Sequence, residues 1–197
     1  TTASYNSAFG RDALKANTTG AENTAVGYGS LDANTTGGYN VAVGHLALTA
    51  NTTANDNVAI GVNAMGANTT GASNTAIGRG ALDVNTTGSN NVAVGYEALD
   101  ANTTANNNTA VGYASLGANT TGADLVALGA YSLTKNTTGV RNTAIGRATL
   151  EETTTQSDNT AVGHHSLLSN TASYNTAVGS YSLKTNTTGS NNTAVGA

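Results

Sequence analysis

A pentad ending in glycine returns along this chain at a 17-residue step. Asn23-Thr24-Ala25-Val26-Gly27 comes back as Asn40-Val41-Ala42-Val43-Gly44 and then as Asn57-Val58-Ala59-Ile60-Gly61. Copies start at positions 6, 23, 40, 57, 74, 91, 108, 125, 142, 159, 175 and 192, and only the step from 159 to 175 is one residue short. Alanine is third and glycine fifth in all twelve copies, and asparagine is first in eleven, with Leu125 the exception. A fixed short period marks a repeat architecture in which each unit packs only on its neighbours. Position 1 of the unit is the pentad asparagine, and position 17 is the residue before the next pentad.

The remainder of the unit is equally regular. Position 9 is apolar in Leu14, Leu31, Leu48, Met65, Leu82, Leu99, Leu116, Leu133, Leu150, Leu167 and Leu183, each preceded by Ala, Ser or Thr. Three residues later Asn-Thr-Thr occurs nine times, from Asn17 to Asn186. No linker or composition shift breaks the array, so residues 1–197 are expected to form one architectural unit. Repeat arrays generally need atypical capping units, and neither end has one. The chain is therefore expected to be a segment of a longer fibre protein.

Seventeen residues are too few for a helical-hairpin repeat, which needs about 33. The Gly, Asn and Thr of the unit are poor helix formers, and its apolar spacing does not hold a 3.6 period. The pattern predicts an all-β fold, a parallel β-solenoid (β-roll) of twelve 17-residue coils. Strand alternation puts pentad positions 2 and 4 on one face. A second short strand is expected over residues 28–31, with Asn-Thr-Thr-Gly turning the chain. Coils would stack about 4.8 Å apart, giving a rod on the order of 50 Å long. Identical residues would then form ladders. Asparagines are expected to hydrogen-bond along the stack at Asn23, Asn40, Asn57, Asn74, Asn91, Asn108, Asn142, Asn159 and Asn175.

Two apolar rows are the expected core. One is the fourth pentad position, at Val26, Val43, Ile60, Ile77, Val94, Val111, Leu128, Ile145, Val162 and Val178. The other is the leucine row, at Leu31, Leu48, Leu82, Leu99, Leu116, Leu133, Leu150, Leu167 and Leu183. Two large apolar side chains per coil bury little, against an ordering cost of about 1.5 kcal/mol per residue. Without cysteine, disulfides cannot make up the difference. Contact between chains is the remaining source, which predicts a parallel homo-oligomer, a trimer. The pattern leaves open which row fills the coil and which faces the neighbour.

Composition narrows the chemistry. Charged residues are 9% of the chain, against about 25% in ordinary domains. The absence of cysteine excludes thiolate zinc sites and cysteine nucleophiles. No apolar run is long enough to span a bilayer. Seven scattered basic residues and a pI near 5.1 give no nucleic-acid footprint. The calcium-binding nonapeptide, the G-x-S-x-G elbow and the phosphate-binding P-loop are all missing. Asp32, Asp83 and Asp100 share one position in the unit, but Thr49, Gly66 and Lys184 also occupy it. Neither enzyme activity, a metal nor a cofactor is expected. His164 and His165 are expected in a strand with side chains pointing oppositely, and His45 lies seven coils away.

Two rows are candidates for contact. Position 6 varies among Arg11, Tyr28, His45, Arg79, Tyr96, Tyr113, Arg147 and His164, with Val62, Ala130 and Ser180 between them. Tyr and Arg are favoured contact residues, so this row is expected to face outward. The Asn-Thr-Thr row could bind ice if its hydroxyls formed a flat array. The two threonines are adjacent, however, and a turn ladder suits them better.

The pentads NTAVG, NVAIG and NTAIG, followed by a small residue and leucine, resemble the head repeats of trimeric autotransporter adhesins. The NTAVGY…ANTTG pattern is similar to repeats of bacteriophage tail fibres. The resemblance spans essentially the whole chain. It implies a left-handed parallel β-roll in a homotrimer, although the unit here is longer, with the additional residues in the Asn-Thr-Thr-Gly turn. The expected role is the shaft or head of an extracellular adhesive fibre on a bacterial surface or virion. The fibre would reach a host-cell surface or glycan through other parts, with no nucleic acid bound and no membrane insertion by this segment. An ice-binding solenoid and a self-assembling filament subunit are the alternatives.

Overall fold

Each pentad forms a three-residue strand, the first at Ser7–Phe9 and the last at Thr193–Val195. A computed structural model describes residues 3–197. The twelve strands form a single parallel sheet in sequence order. Every pairing joins equivalent residues, as in Thr24↔Val41, Ala25↔Ala42 and Val26↔Val43. The one-residue deletion leaves this register intact, with Ala161 opposite Ala177. The molecule is thus an all-β parallel β-solenoid with 17-residue coils, and no helix occurs among the described residues. The strand N–H at Thr24 donates to the Asn40 carbonyl of the following coil at 2.8 Å, and Gly27 donates back to Phe9 at 2.8 Å.

The expected strand over residues 28–31 is absent; the chain turns there instead. The reason lies in the sign of φ. Positions 5, 7, 9 and 17 all have positive φ, including Leu31 at 51° and Tyr39 at 60°. These bends close each coil on itself, which an extended segment of the same length cannot do. An L-residue in this region costs about 1–2 kcal/mol. At position 9 the cost is offset because the leucine side chain is carried into the interior. Turn residues still stack on one another across coils. Leu31 N–H donates to Ala47 O at 3.1 Å, Ala33 to Thr49 at 3.1 Å and Thr35 to Thr52 at 2.9 Å.

The interior is built from rows of equivalent residues that run along the array. Alanine at position 3, the small residue at position 8 and leucine at position 9 are fully buried through the middle of the array (Ala93, Ala98 and Leu99, for example, at 0%), as are the asparagines. The expected core needs one correction. The leucine row fills the coil, but the fourth-position row does not: Val26, Ile60, Ile77, Val111, Ile145 and Val178 are 37–38% exposed, and Val43, Val94, Leu128 and Val162 are half-buried. Alternation does place positions 2 and 4 together, as expected, but on the outer surface. The coil is too narrow to hold leucine against valine, so only the methyl of alanine fits opposite it.

The coil 159–174 absorbs its deletion in the Asn-Thr turn. Asn170 Nδ2 donates to the Ala172 carbonyl two residues on, where regular coils bridge three. Here Ser169–Asn170 and Thr185–Asn186 form an additional parallel pair.

Candidate functional site

Two asparagine ladders run through the rod. At position 1, Asn23 Oδ1 accepts the backbone N–H of Asn40 at 3.0 Å. Its Nδ2 donates to the Gly37 carbonyl at 2.9 Å, so the side chain ties strand to turn and coil to coil. The same pattern recurs at Asn40, Asn57, Asn74 and Asn91. Further along, Asn108 supports Leu125, Asn142 supports Asn159, Asn159 supports Asn175 and Asn175 supports Asn192. Leu125, buried at this position, offers no acceptor to the coil after it. The second ladder, at position 12, was concealed in the Asn-Thr-Thr turn. Asn51 Nδ2 donates to Asn34 Oδ1 at 2.9 Å, and Asn85 to Asn68 at 2.8 Å. Thr153 breaks it, leaving Asn136 Oδ1 buried without a partner.

In the turn, the first threonine hydroxyl donates to the carbonyl of its copy one coil on, as from Thr35 to Thr52 at 3.0 Å and from Thr86 to Thr103 at 3.1 Å. The second threonine is exposed, as at Thr36 and Thr87. Only one hydroxyl row therefore faces outward there.

The outer strand face is bordered by two rows. Position 6 follows it and is largely exposed, with Tyr28 at 45% and Tyr113 at 47%. Its side chains stack on one another along the rod. Arg11 lies over the Tyr28 ring at 5.7 Å, and Tyr28 stacks on His45 at 5.4 Å. Arg79 covers Tyr96, which stacks on Tyr113 at 5.4 Å and 6°. Arg147 Nη1 sits 3.5 Å from His164 Nε2. The ring faces are thus turned toward row neighbours, and the edges and guanidinium donors are left at the surface. Hydrogen bonding to Glu97 holds the Tyr96 hydroxyl above the usual phenol range. Position 17, which precedes the face, holds Arg141 in a two-point pair with Asp158 at 2.7 and 2.9 Å. That contact keeps the Asp158 carboxyl below its ordinary pKa.

His164 and His165 do not point oppositely. They lie in the turn region, and their rings stack at 3.8 Å with Tyr181 edge-on to both. His165 has φ of 57°, which is what folds the two rings together. Burial first, then His164, Arg147 and Lys184, push its pKa below the usual imidazole value. Asp83 and Asp100 are neighbours in adjacent coils, and burial raises both carboxyls. No group of three metal-ligating side chains and no pocket occurs among the described residues. No family model, curated protein or solved structure matches the chain.

Proposed function

We propose that this chain is a non-enzymatic, rigid shaft or head segment of a parallel homotrimeric fibre. In this role it holds a recognition element away from a bacterial surface or virion in the extracellular space. One observation carries the reading: a twelve-strand outer face with a continuous apolar row, mostly valine and isoleucine, that is half-buried to 38% exposed between Val26 and Val178. Monomeric proteins rarely leave large contiguous apolar patches open to water. A row repeated at every coil along the sheet suits a partner of the same length and period, and a second copy of the chain has both. Two asparagine ladders and coil-to-coil backbone bonds supply the stiffness the role requires.

Sedimentation of the purified chain over a wide concentration range tests the proposal. A trimer is the expected species, and Val94→Asp should dissociate it. A folded monomer at all concentrations would refute the reading. An ice-binding role, by contrast, would show as thermal hysteresis.

A further inference from the structure

The two rows that border the outer face are sorted by charge. Position 6 carries Arg11, Arg79 and Arg147, with His45 and His164, and no acidic residue. Position 17 carries Glu22, Asp56, Asp124 and Asp158, with Arg141 the one basic residue. The face therefore has a basic edge and an acidic edge along most of its length. The left-handed backbone of position 17 favours Asp and Asn, but nothing in the coil requires charge there or basic residues at position 6, because both rows are at the surface and neither faces the other across the interior.

We infer that these edges form an ion-pair seam between neighbouring copies, one that sets their direction and their register. The inference rests on the parallel assembly proposed above. Copies related by rotation about an axis along the rod bring the position-6 edge of one against the position-17 edge of the next. The basic edge of one copy then lies along the acidic edge of the next. An antiparallel pair brings like edges together, basic on basic and acidic on acidic, which suppresses that arrangement.

Register follows from the same rows. Each position-6 residue can face either the position-17 residue before its own strand or the one after it. In the second register Arg11 faces Glu22, His45 faces Asp56, Arg79 faces Asn90 and Arg147 faces Asp158, whose carboxylate Arg141 of its own chain already holds, while Arg141 faces neutral Ala130. In the first, Arg147 faces Arg141, and of the basic residues only His164, against Asp158, finds an acid. The second register is the one the seam selects. Arg11 and Arg79 lie over tyrosine rings, and although Arg11 Nε pairs with Asp12 of its own chain at 3.4 Å, a guanidinium has further N–H donors to turn outward.

The test uses the full chain. Sedimentation at low and high salt is measured for the wild type, for Arg11→Glu with His45→Glu, and for that pair combined with Glu22→Arg and Asp56→Arg. The charge-reversed pair should weaken assembly by about tenfold or more at low salt, and the four-substitution swap should restore it. The difference should shrink at high salt. A spin label introduced at Thr24→Cys should give short distances between copies. An antiparallel assembly would place the labels about 45 Å apart by coil spacing. A wild-type chain that never assembles overturns the fibre reading and the seam together. Assembly that ignores both charge variants overturns the seam and leaves the fibre reading standing. Long label distances overturn the parallel direction itself.

Discussion

Thr153 shows how much one side chain can matter in a ladder. Its hydroxyl donates to Asn170 O at 3.2 Å, yet it gives nothing to Asn136 Oδ1, which is left buried and unpaired. An unmet buried acceptor costs about 1–3 kcal/mol. Thr153→Asn would supply an Nδ2 for Asn136 and an Oδ1 for Asn170, whose own Nδ2 has a hydrogen to spare. We expect it to raise stability by about 1–2 kcal/mol, read as a shift of the urea midpoint without a change in slope. An unchanged midpoint would show that Asn136 Oδ1 is already satisfied. The two apolar rows make a second residue-scale contrast. Leu116 is fully buried and Val94 only half. In dilute, unassembled chain Leu116→Ala should cost about 2–5 kcal/mol, and Val94→Ala less than about 1 kcal/mol. Comparable losses would mean that the outer row contributes to the coil's own core.

At the scale of the coil, much is legible in the repeat itself. The 17-residue period fixed the strand, its register and the first asparagine ladder, because a repeat this regular can stack only like on like. What stayed hidden was the sign of φ. Leucine at position 9 gives no warning that it sits in left-handed backbone, so residues 28–31 looked like a second strand. The positive φ of His165 also stacks it on His164, where an extended strand would turn the two apart. Alternation likewise paired positions 2 and 4 correctly but could not say which side of the strand turned inward. The histidine pair has a measurable consequence. A base with a depressed folded pKa binds its proton more readily in the unfolded chain, so stability falls as pH drops from the unfolded pKa, about 6.5, through the lower folded value. Backbone amides around the pair, such as Tyr181 N–H on His164 O, should exchange faster at about pH 5.5 than at about pH 7.5 after correction for intrinsic rates. His165→Asn, which tolerates the positive φ, should abolish that difference. Protection that stays constant with acidification in the wild type would show that His165 titrates alike in both states.

Over the whole rod, each coil touches only the coils before and after it, so stability is nearly a sum of nearest-neighbour terms. The pentad glycines are where this sum is most easily broken. They hold φ between 128° and 141°, and a Cβ at Gly95 would lie 2.4 Å from the Gly112 carbonyl oxygen. That neighbour is backbone and cannot swing aside, and the same contact recurs at the next coil. Gly95→Ala should therefore open a gap in the middle of the array and leave two shorter rods. Gly179→Ala, whose Cβ would meet Gly196 O, should loosen only the last coils. Hydrogen exchange resolved by segment distinguishes the two cases. For the central variant, protection should fall most around residues 91–112 and recover toward both ends, and melting should broaden or split. The distal variant should keep wild-type protection through the first half of the chain. If either substitution lowered protection evenly from end to end, the rod would be unfolding as one cooperative body, with coupling that reaches well beyond adjacent coils.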